Sequence, residues 1–101
     1  MPVRTRSEVI QSLARFQQTS GSRLGVMRMG VFGSAARDRL TETSDVDVLV
    51  ELAHPNLLTL ARIKRELEEV LGRPVDVVHY RATMNAFLKR RIDQEAVYVG
   101  P

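Results

Sequence analysis

The chain has 101 residues, of which 44% are hydrophobic and 27% charged, and its formal net charge is +3. This length and composition predict one small globular domain over residues 1–101, with no room for a separate substrate domain, and exclude a disordered chain. The absence of cysteine excludes disulfides, zinc–thiolate sites and thiol chemistry.

The N-terminal residues lead into a polar segment, and the chain contains no long apolar run. Such a sequence predicts neither secretion nor a membrane span, so we expect a cytoplasmic protein that does not contact membranes. The small positive charge would favour an acidic partner, but it does not require one.

The first half of the chain predicts a helix, a strand and a short second helix. Thr5 and Glu8 form a capping-box pattern, and apolar residues follow at helical spacing up to Phe16. The polar residues 17–22 should end this helix. A mostly apolar strand is expected over residues 24–32, and the Gly33-Ser34 turn should lead into a helix from residue 35 to about residue 40.

The second half alternates strands and helices in the same way. Strands are predicted over residues 45–52 and 75–80, and a helix that begins after Pro55 and Asn56 should end at Gly72. Its predicted buried stripe is Leu60, Ile63, Leu67, Val70 and Leu71. A last helix over residues 85–95 should turn Phe87, Leu88 and Ile92 inward, and residues 96–99 form either a short strand or an extended tail. This alternation predicts an α/β fold but leaves the direction of neighbouring strands open.

Asp45 and Asp47 are the strongest chemical signal in the sequence. Side chains at positions i and i+2 of a strand project from the same face, so these two carboxylates should lie together. Adjacent carboxylates repel each other unless a cation lies between them or one of them takes up a proton. Mg²⁺ prefers oxygen ligands and is commonly held by one or two carboxylates together with substrate phosphates. The alternative is a loop aspartate followed by a solvent-facing strand aspartate.

Asp76 lies in the otherwise apolar strand of residues 75–80, where an unpaired charge would be costly. If this strand neighbours the strand that carries Asp47, three carboxylates can surround one or two metal ions, an arrangement that suits phosphoryl-type transfer. Asp76 would then be the ligand nearest the nucleophile and a candidate general base. An edge-strand salt bridge is the alternative.

The Gly33-Ser34 turn could supply a complementary anion site, because backbone N–H groups at a helix start bind phosphates. Ser34 would donate its hydroxyl to a β- or γ-phosphate, although it could also be only a helix cap. Arg37 could contact phosphate or a partner, or lie on a solvated helix face. Ser44 could orient Asp45 or simply end the loop.

Two other groups of polar residues receive structural or partner-facing predictions. His79 and Tyr80 follow the third strand and are expected to be non-catalytic. The basic run of residues 89–91 is expected to be a solvated helix face. Binding to an acidic partner or to RNA is the alternative, but no aromatic residues are interleaved with the run to stack on bases, so we expect no direct nucleic-acid binding.

The combined motif resembles that of the minimal nucleotidyltransferases of the DNA polymerase beta superfamily. The resemblance rests on Gly33-Ser34, on Asp45-x-Asp47 ten residues later and on Asp76 in a later strand, and it covers roughly residues 6–99. It implies a small mixed β-sheet packed against helices, with Mg²⁺ and a nucleoside triphosphate at the Gly-Ser turn. Asp45 and Asp47 would hold both metals, and Asp76 would complete the catalytic metal site.

The resemblance also implies a biological role. Small members of this family form toxin–antitoxin pairs with all-helical HEPN ribonucleases, and they silence the toxin by transferring AMP from ATP to one of its tyrosines. The missing acceptor domain agrees with an acceptor that is itself a protein. One departure is Asp38 after Arg37, where many relatives have glycine. The resemblance would place this acid near the phosphates.

Two alternative functions remain open at this point. One is a non-catalytic antitoxin that neutralises its partner by binding alone. The other is a nucleotidyltransferase that acts on a small hydroxyl compound or on an RNA end. The complete set of three aspartates argues against the first alternative, and the lack of an acceptor domain argues against the second.

Overall fold

The computed structural model describes residues 2–99, so both ends of the predicted domain, residues 1, 100 and 101, lie outside the described part. The helices are α1 (Arg6–Phe16), α2 (Gly33–Ala36), α3 (Leu57–Leu71) and α4 (Ala86–Glu95). The strands are β1 (Val26–Phe32), β2 (Val46–Leu52), β3 (Val75–His79) and β4 (Val97–Tyr98). A π-helical turn, Gln17–Gly21, extends α1.

The four strands form one mixed sheet in the order β3-β2-β1-β4. β1 pairs antiparallel with both β2 and β4, whereas β2 and β3 run parallel. Helix α3 is the crossover connection that a parallel pair requires. The predicted α/β class with a small mixed sheet is therefore confirmed, and β3 is a direct neighbour of β2.

Apolar side chains fill both faces of the sheet. The larger cluster packs α1 and α3 against one face, with buried Val9 and Leu13 from α1 and Ile63 and Leu67 from α3. The smaller cluster lies under α4 and contains Phe32, Leu49 and Ile92. Because side chains alternate along a strand, Asp47 and Asp76 share the α4 face with Leu49 and Val78.

Local sequence signals account for the helix ends. Thr5 and Glu8 form the predicted capping box on α1. Asn56 and Asn85 accept backbone N–H groups at the starts of α3 and α4. Gly72 ends α3 in the left-handed conformation, as predicted, with φ of 71°.

Several sequence predictions need correction. Strand β1 begins at Val26 because Leu24 N–H still bonds back to Ser20 in a helical turn. Helix α2 begins at Gly33 and ends at Ala36 rather than near residue 40, because the backbone leaves the helical region at Arg37 and reaches φ of 57° at Asp38.

Two residues predicted to be buried are not. Val70 is 50% exposed and Phe87 is 75% exposed, whereas Ile92 is fully buried under α4 and Leu88 packs against the same cluster, as predicted. Residues 97–98 pair with β1, so the final segment is a short strand rather than a tail. Within residues 2–99, none of the helices is long and apolar enough to cross a membrane.

Candidate active site

The Gly33-Ser34 turn connects β1 directly to α2. Gly33 is buried and has φ of 68°, a left-handed conformation that favours glycine. A Cβ atom at this position would overlap the Asp47 Oδ2 atom. Glycine is therefore required twice, once for the backbone conformation and once for the close approach of Asp47 to the turn. Ser34, the next residue of α2, is half-buried.

The three predicted carboxylates lie at one end of the sheet. Asp47 is a register partner of Phe32 on β1 and of Asp76 on β3. Asp45 immediately precedes β2, so it lies in the loop rather than in the strand as predicted. Asp47 is half-buried, while Asp45 and Asp76 are exposed. The topology thus brings the second and third parts of the motif together through Asp47 and Asp76, with Asp47 against Gly33.

The electrostatics of this end of the sheet centre on Asp47. Burial raises the pKa of the Asp47 carboxyl, and the negative charges of Asp76 and Asp45 raise it further. The guanidinium groups of Arg91 and Arg37 oppose this shift and lower the pKa. Mutual repulsion among the carboxylates is the condition that a bound cation relieves.

The carboxylates do not form a closed metal site in this conformation. Among residues 2–99, no group of three or more histidine, cysteine, aspartate or glutamate residues is arranged closely enough to hold a metal ion. The chemistry of the donors nevertheless fits Mg²⁺, because hard carboxylate oxygens of like charge converge beside Asp47. Assignment of Asp45, Asp47 and Asp76 as metal ligands therefore stays a prediction.

Glu95 is a further residue of the site, and the sequence motifs do not indicate it. Its Oε1 accepts a hydrogen bond from Arg37 Nη1 at 2.8 Å, and its Oε2 accepts one from Gly33 N–H at 3.3 Å. Arg91 lies one helical turn earlier, with its Nη2 3.7 Å from Glu95 Oε2. The i, i+4 spacing predicts only the Arg91 pair, since the contacts with α2 depend on how α4 packs on the sheet.

Asp38 has a structural contact with the first helix. Its Oδ1 accepts a hydrogen bond from Arg6 N–H at 2.8 Å, at the first residue of α1. The negative carboxylate therefore lies at the positive end of the α1 dipole, an arrangement that stabilises the helix. Asparagine and aspartate are the non-glycine residues that best tolerate a left-handed backbone, which explains how Asp38 adopts φ of 57°.

The remaining predicted residues have mainly structural contacts. Ser44 Oγ accepts a hydrogen bond from Thr41 N–H at 3.0 Å. Of its two predicted roles, orienting Asp45 or ending the loop, this contact fits the second. Tyr80 donates its hydroxyl to Asp93 at 2.8 Å, and Lys89 pairs with the same carboxylate at 3.1 Å. His79 Nε2 accepts Leu52 N–H at 3.4 Å.

Comparisons with known proteins agree with this geometry. The sequence profile of the nucleotidyltransferase domain family matches residues 9–99. An inferred protein adenylyltransferase of Methanocaldococcus jannaschii is 53% identical over 76 residues, which are 74% of this chain and 81% of that protein. The protein adenylyltransferase MntA of Thermococcus cleftensis is 34% identical over 100 residues, which are 98% of this chain and 100% of that protein.

Solved structures show the same fold. One described as a minimal nucleotidyltransferase has a TM-score of 0.75 and 35% identity, over 89% of this chain and 92% of the other. A toxin–antitoxin structure with AMP-PNP has a TM-score of 0.73 at 17% identity, over 88% of this chain and 70% of the other, and so supports the fold alone. The chain therefore belongs to the nucleotidyltransferase domain family, as an enzyme of the minimal nucleotidyltransferase type.

Proposed function

We propose that this nucleotidyltransferase is a Mg²⁺-dependent protein adenylyltransferase of the cytoplasm. As an antitoxin, it would transfer AMP from ATP to a tyrosine of a cognate HEPN ribonuclease toxin and so neutralise that toxin. The observation that carries this proposal is the register of Asp47 with Asp76 beside the Gly33-Ser34 turn. This register places candidate metal ligands next to a candidate phosphate site.

The nucleotide phosphates would bind at the Gly33-Ser34 turn. Gly33 allows a phosphate to approach the backbone N–H groups, and Ser34 would donate its hydroxyl to a β- or γ-phosphate. Arg37 reaches the Gly33 side of this turn through Glu95, so its guanidinium is close enough to bind a phosphate after a change of rotamer. Ser44 would contribute by holding the loop that precedes Asp45.

Asp45, Asp47 and Asp76 would hold the metal ions. When bound there, Mg²⁺ would polarise the phosphates and stabilise the charge that develops during transfer. The raised pKa of Asp47 supports this assignment, because a carboxylate destabilised by its neighbours gains most from a nearby cation.

In the transfer step, the tyrosine oxygen of the toxin would attack the α-phosphorus of ATP. A new bond forms between that oxygen and phosphorus, the bond to the bridging oxygen of the β-phosphate breaks, and pyrophosphate leaves. Asp76 would accept the proton of the tyrosine hydroxyl as the general base. Asp76 is exposed near the start of β3, so a side chain of a second protein can reach it.

The relatives support the choice of a protein acceptor and of a toxin as the partner. Protein adenylyltransferases are among the most similar sequences, and MntA–HepT toxin–antitoxin complexes share the fold. A HEPN toxin in complex with its MNT antitoxin has been described in a tri-AMPylated state in Shewanella oneidensis. These descriptions concern those proteins, and the proposal extends them to this chain.

Intact-mass spectrometry tests the proposal. A HEPN protein encoded beside this chain would be incubated with the chain, ATP and Mg²⁺, next to a double variant with Asp45→Asn and Asp47→Asn. We expect the HEPN protein to gain one or more AMP units with the wild type and none with the variant. An unchanged mass in a stable complex would contradict the transferase and favour neutralisation by contact alone.

A further inference from the structure

Glu95 occupies the anion-binding side of the Gly33-Ser34 turn. One carboxylate oxygen accepts the Gly33 N–H and the other accepts the Arg37 guanidinium, with Arg91 close to the first. A backbone N–H and two guanidinium groups are the donors that a phosphate group would use. In this structure a carboxylate of the protein itself holds all three.

The backbone of Glu95 is held in place by the packing of its helix and by the strand that follows it. Glu95 is the last residue of α4, whose buried Ile92 packs with Phe32 and Leu49. The chain then continues into β4, which pairs with β1. The Cα position of Glu95 is therefore held from both sides, while its side chain is 26% exposed. A ligand can displace the carboxylate by a rotamer change, without unfolding the helix.

From these contacts we infer that Glu95 is a resident competitor for the nucleotide phosphates, which bind only after its carboxylate has left the Gly33 N–H and the two arginines. This inference rests on the proposed function, which places the β- and γ-phosphates at the turn. Displacement breaks the Arg37 and Arg91 ion pairs and frees both guanidinium groups. Glu95 thereby weakens nucleotide affinity and sets how many phosphates a ligand needs to displace it.

A purely structural role for Glu95 makes the opposite prediction. If the carboxylate only braced the turn and held Arg37 in place, its loss would loosen the site and weaken nucleotide binding. The competitor role requires that loss of the charge strengthens binding. The direction of the change therefore separates the two roles.

Glu95→Gln removes the charge but keeps the length of the side chain and an acceptor oxygen. Asp93→Asn is the matched control, because it makes the same charge change two residues earlier on α4, where Asp93 pairs with Lys89 and Tyr80 instead. Isothermal titration with AMP-PNP and Mg²⁺ would give the dissociation constants, and thermal unfolding would check that each variant is folded.

We expect Glu95→Gln to bind AMP-PNP about 3- to 10-fold more tightly than the wild type, in line with the loss of partly exposed, charge-assisted contacts. Asp93→Asn should stay within about twofold, since it weakens only the exposed contacts with Lys89 and Tyr80. AMP lacks the β- and γ-phosphates, so its affinity should not rise in Glu95→Gln.

Three results would overturn the inference. Equal or weaker AMP-PNP binding by a folded Glu95→Gln variant, with normal binding by the wild type, would leave the proposed function intact but assign Glu95 a bracing role. An equal gain in Asp93→Asn would reduce the effect to net charge. Failure of the folded wild type and of both variants to bind AMP-PNP would count against the proposed function and, with it, against the inference.

Discussion

Asp47 on β2 and Asp76 on β3 are register partners in the parallel pair, and both side chains point to the face of the sheet that α4 covers. Two carboxylates side by side are unfavourable in the absence of a counter-ion. The fold tolerates them because Asp76 is exposed and because Arg91 and Arg37 lower the pKa of Asp47 in part. The site therefore stores electrostatic repulsion that a cation would relieve.

The first prediction concerns Asp47→Asn. Activity should fall on the order of 100-fold or more if Asp47 is a metal ligand. Even residues that only hydrogen-bond to a metal ligand commonly change metal affinity or activity by about 10- to 100-fold when they are substituted. The metal-free variant should unfold at a temperature higher by up to a few degrees, since the repelled charge is gone. Mg²⁺ should raise the unfolding temperature of the wild type and leave that of Asp47→Asn unchanged.

Glu69→Gln provides the control for this prediction. Glu69 is an exposed acid on α3, which packs on the face of the sheet opposite α4 and the carboxylates, and no salt bridge involves it in the described part of the chain. Its substitution should keep both the activity and the stabilisation by Mg²⁺. A metal-free Asp47→Asn that unfolds at a lower temperature than the wild type would contradict the stored repulsion.

The second prediction follows from the direction of the Asp47 pKa shift. A carboxyl whose pKa is raised in the folded state favours folding below its unfolded pKa, and this contribution is lost as the pH rises through the folded pKa. The stability advantage of Asp47→Asn over the metal-free wild type should therefore grow between acidic and neutral pH. Urea unfolding at a series of pH values measures the difference, and a constant difference would disprove the shift.

The third prediction compares two glycines in the left-handed region. Gly33→Ala should lose nearly all activity and destabilise the fold by roughly 1–3 kcal/mol, because it adds backbone strain and a clash with Asp47. Gly25 has φ of 79°, but a Cβ atom added there would meet no atom within 4 Å. Gly25→Ala should therefore show the strain alone and keep the activity. Similar activity losses in both variants would remove the special role of the Asp47 contact.

The sequence alone indicates the motif residues of the site but not every residue that contacts them. Asp47 and Asp76 stand out because aspartate is unusual within apolar strands, and Gly33 stands out because a Gly-Ser turn directly follows an apolar strand. Their meeting depends on strand order, which the residue pattern leaves open. Glu95 could not be found in this way, because its contact with Gly33 joins residues 62 positions apart through the packing of α4.

The local errors have equally physical causes. Leu88 and Ile92 share one side of α4 at i, i+4 spacing and pack on the sheet, whereas Phe87 lies about 140° around the helix from Ile92 and stays exposed. Helix α2 stops at Ala36 because Asp38 turns back to cap α1. The residue pattern of one segment does not predict a hydrogen bond to a segment that is distant in sequence.

The fourth prediction tests the role of Asp38. Asp38→Ala should destabilise the fold by about 1–2 kcal/mol, because it removes the acceptor for Arg6 N–H and leaves a left-handed alanine. Asp38→Asn keeps an acceptor oxygen and tolerates the backbone, so it should change stability by about 0.5 kcal/mol or less. Thermal unfolding measures both. A marked gain in nucleotide affinity in Asp38→Asn would instead place this carboxylate near the phosphates.

The last prediction concerns His79. Burial lowers its pKa, the charge of Arg81 lowers it further, and Glu51 opposes both. A histidine with a depressed folded pKa adds stability above its unfolded pKa, and this stability is lost as the pH falls through the folded value. Protonation would also remove the Nε2 acceptor of Leu52 N–H.

Wild-type stability should therefore decline below about pH 6.5 more steeply than that of His79→Gln. His54→Gln, which changes an exposed residue, should follow the wild type. Parallel profiles for wild type and His79→Gln would show that the pKa of His79 does not differ between the folded and unfolded states.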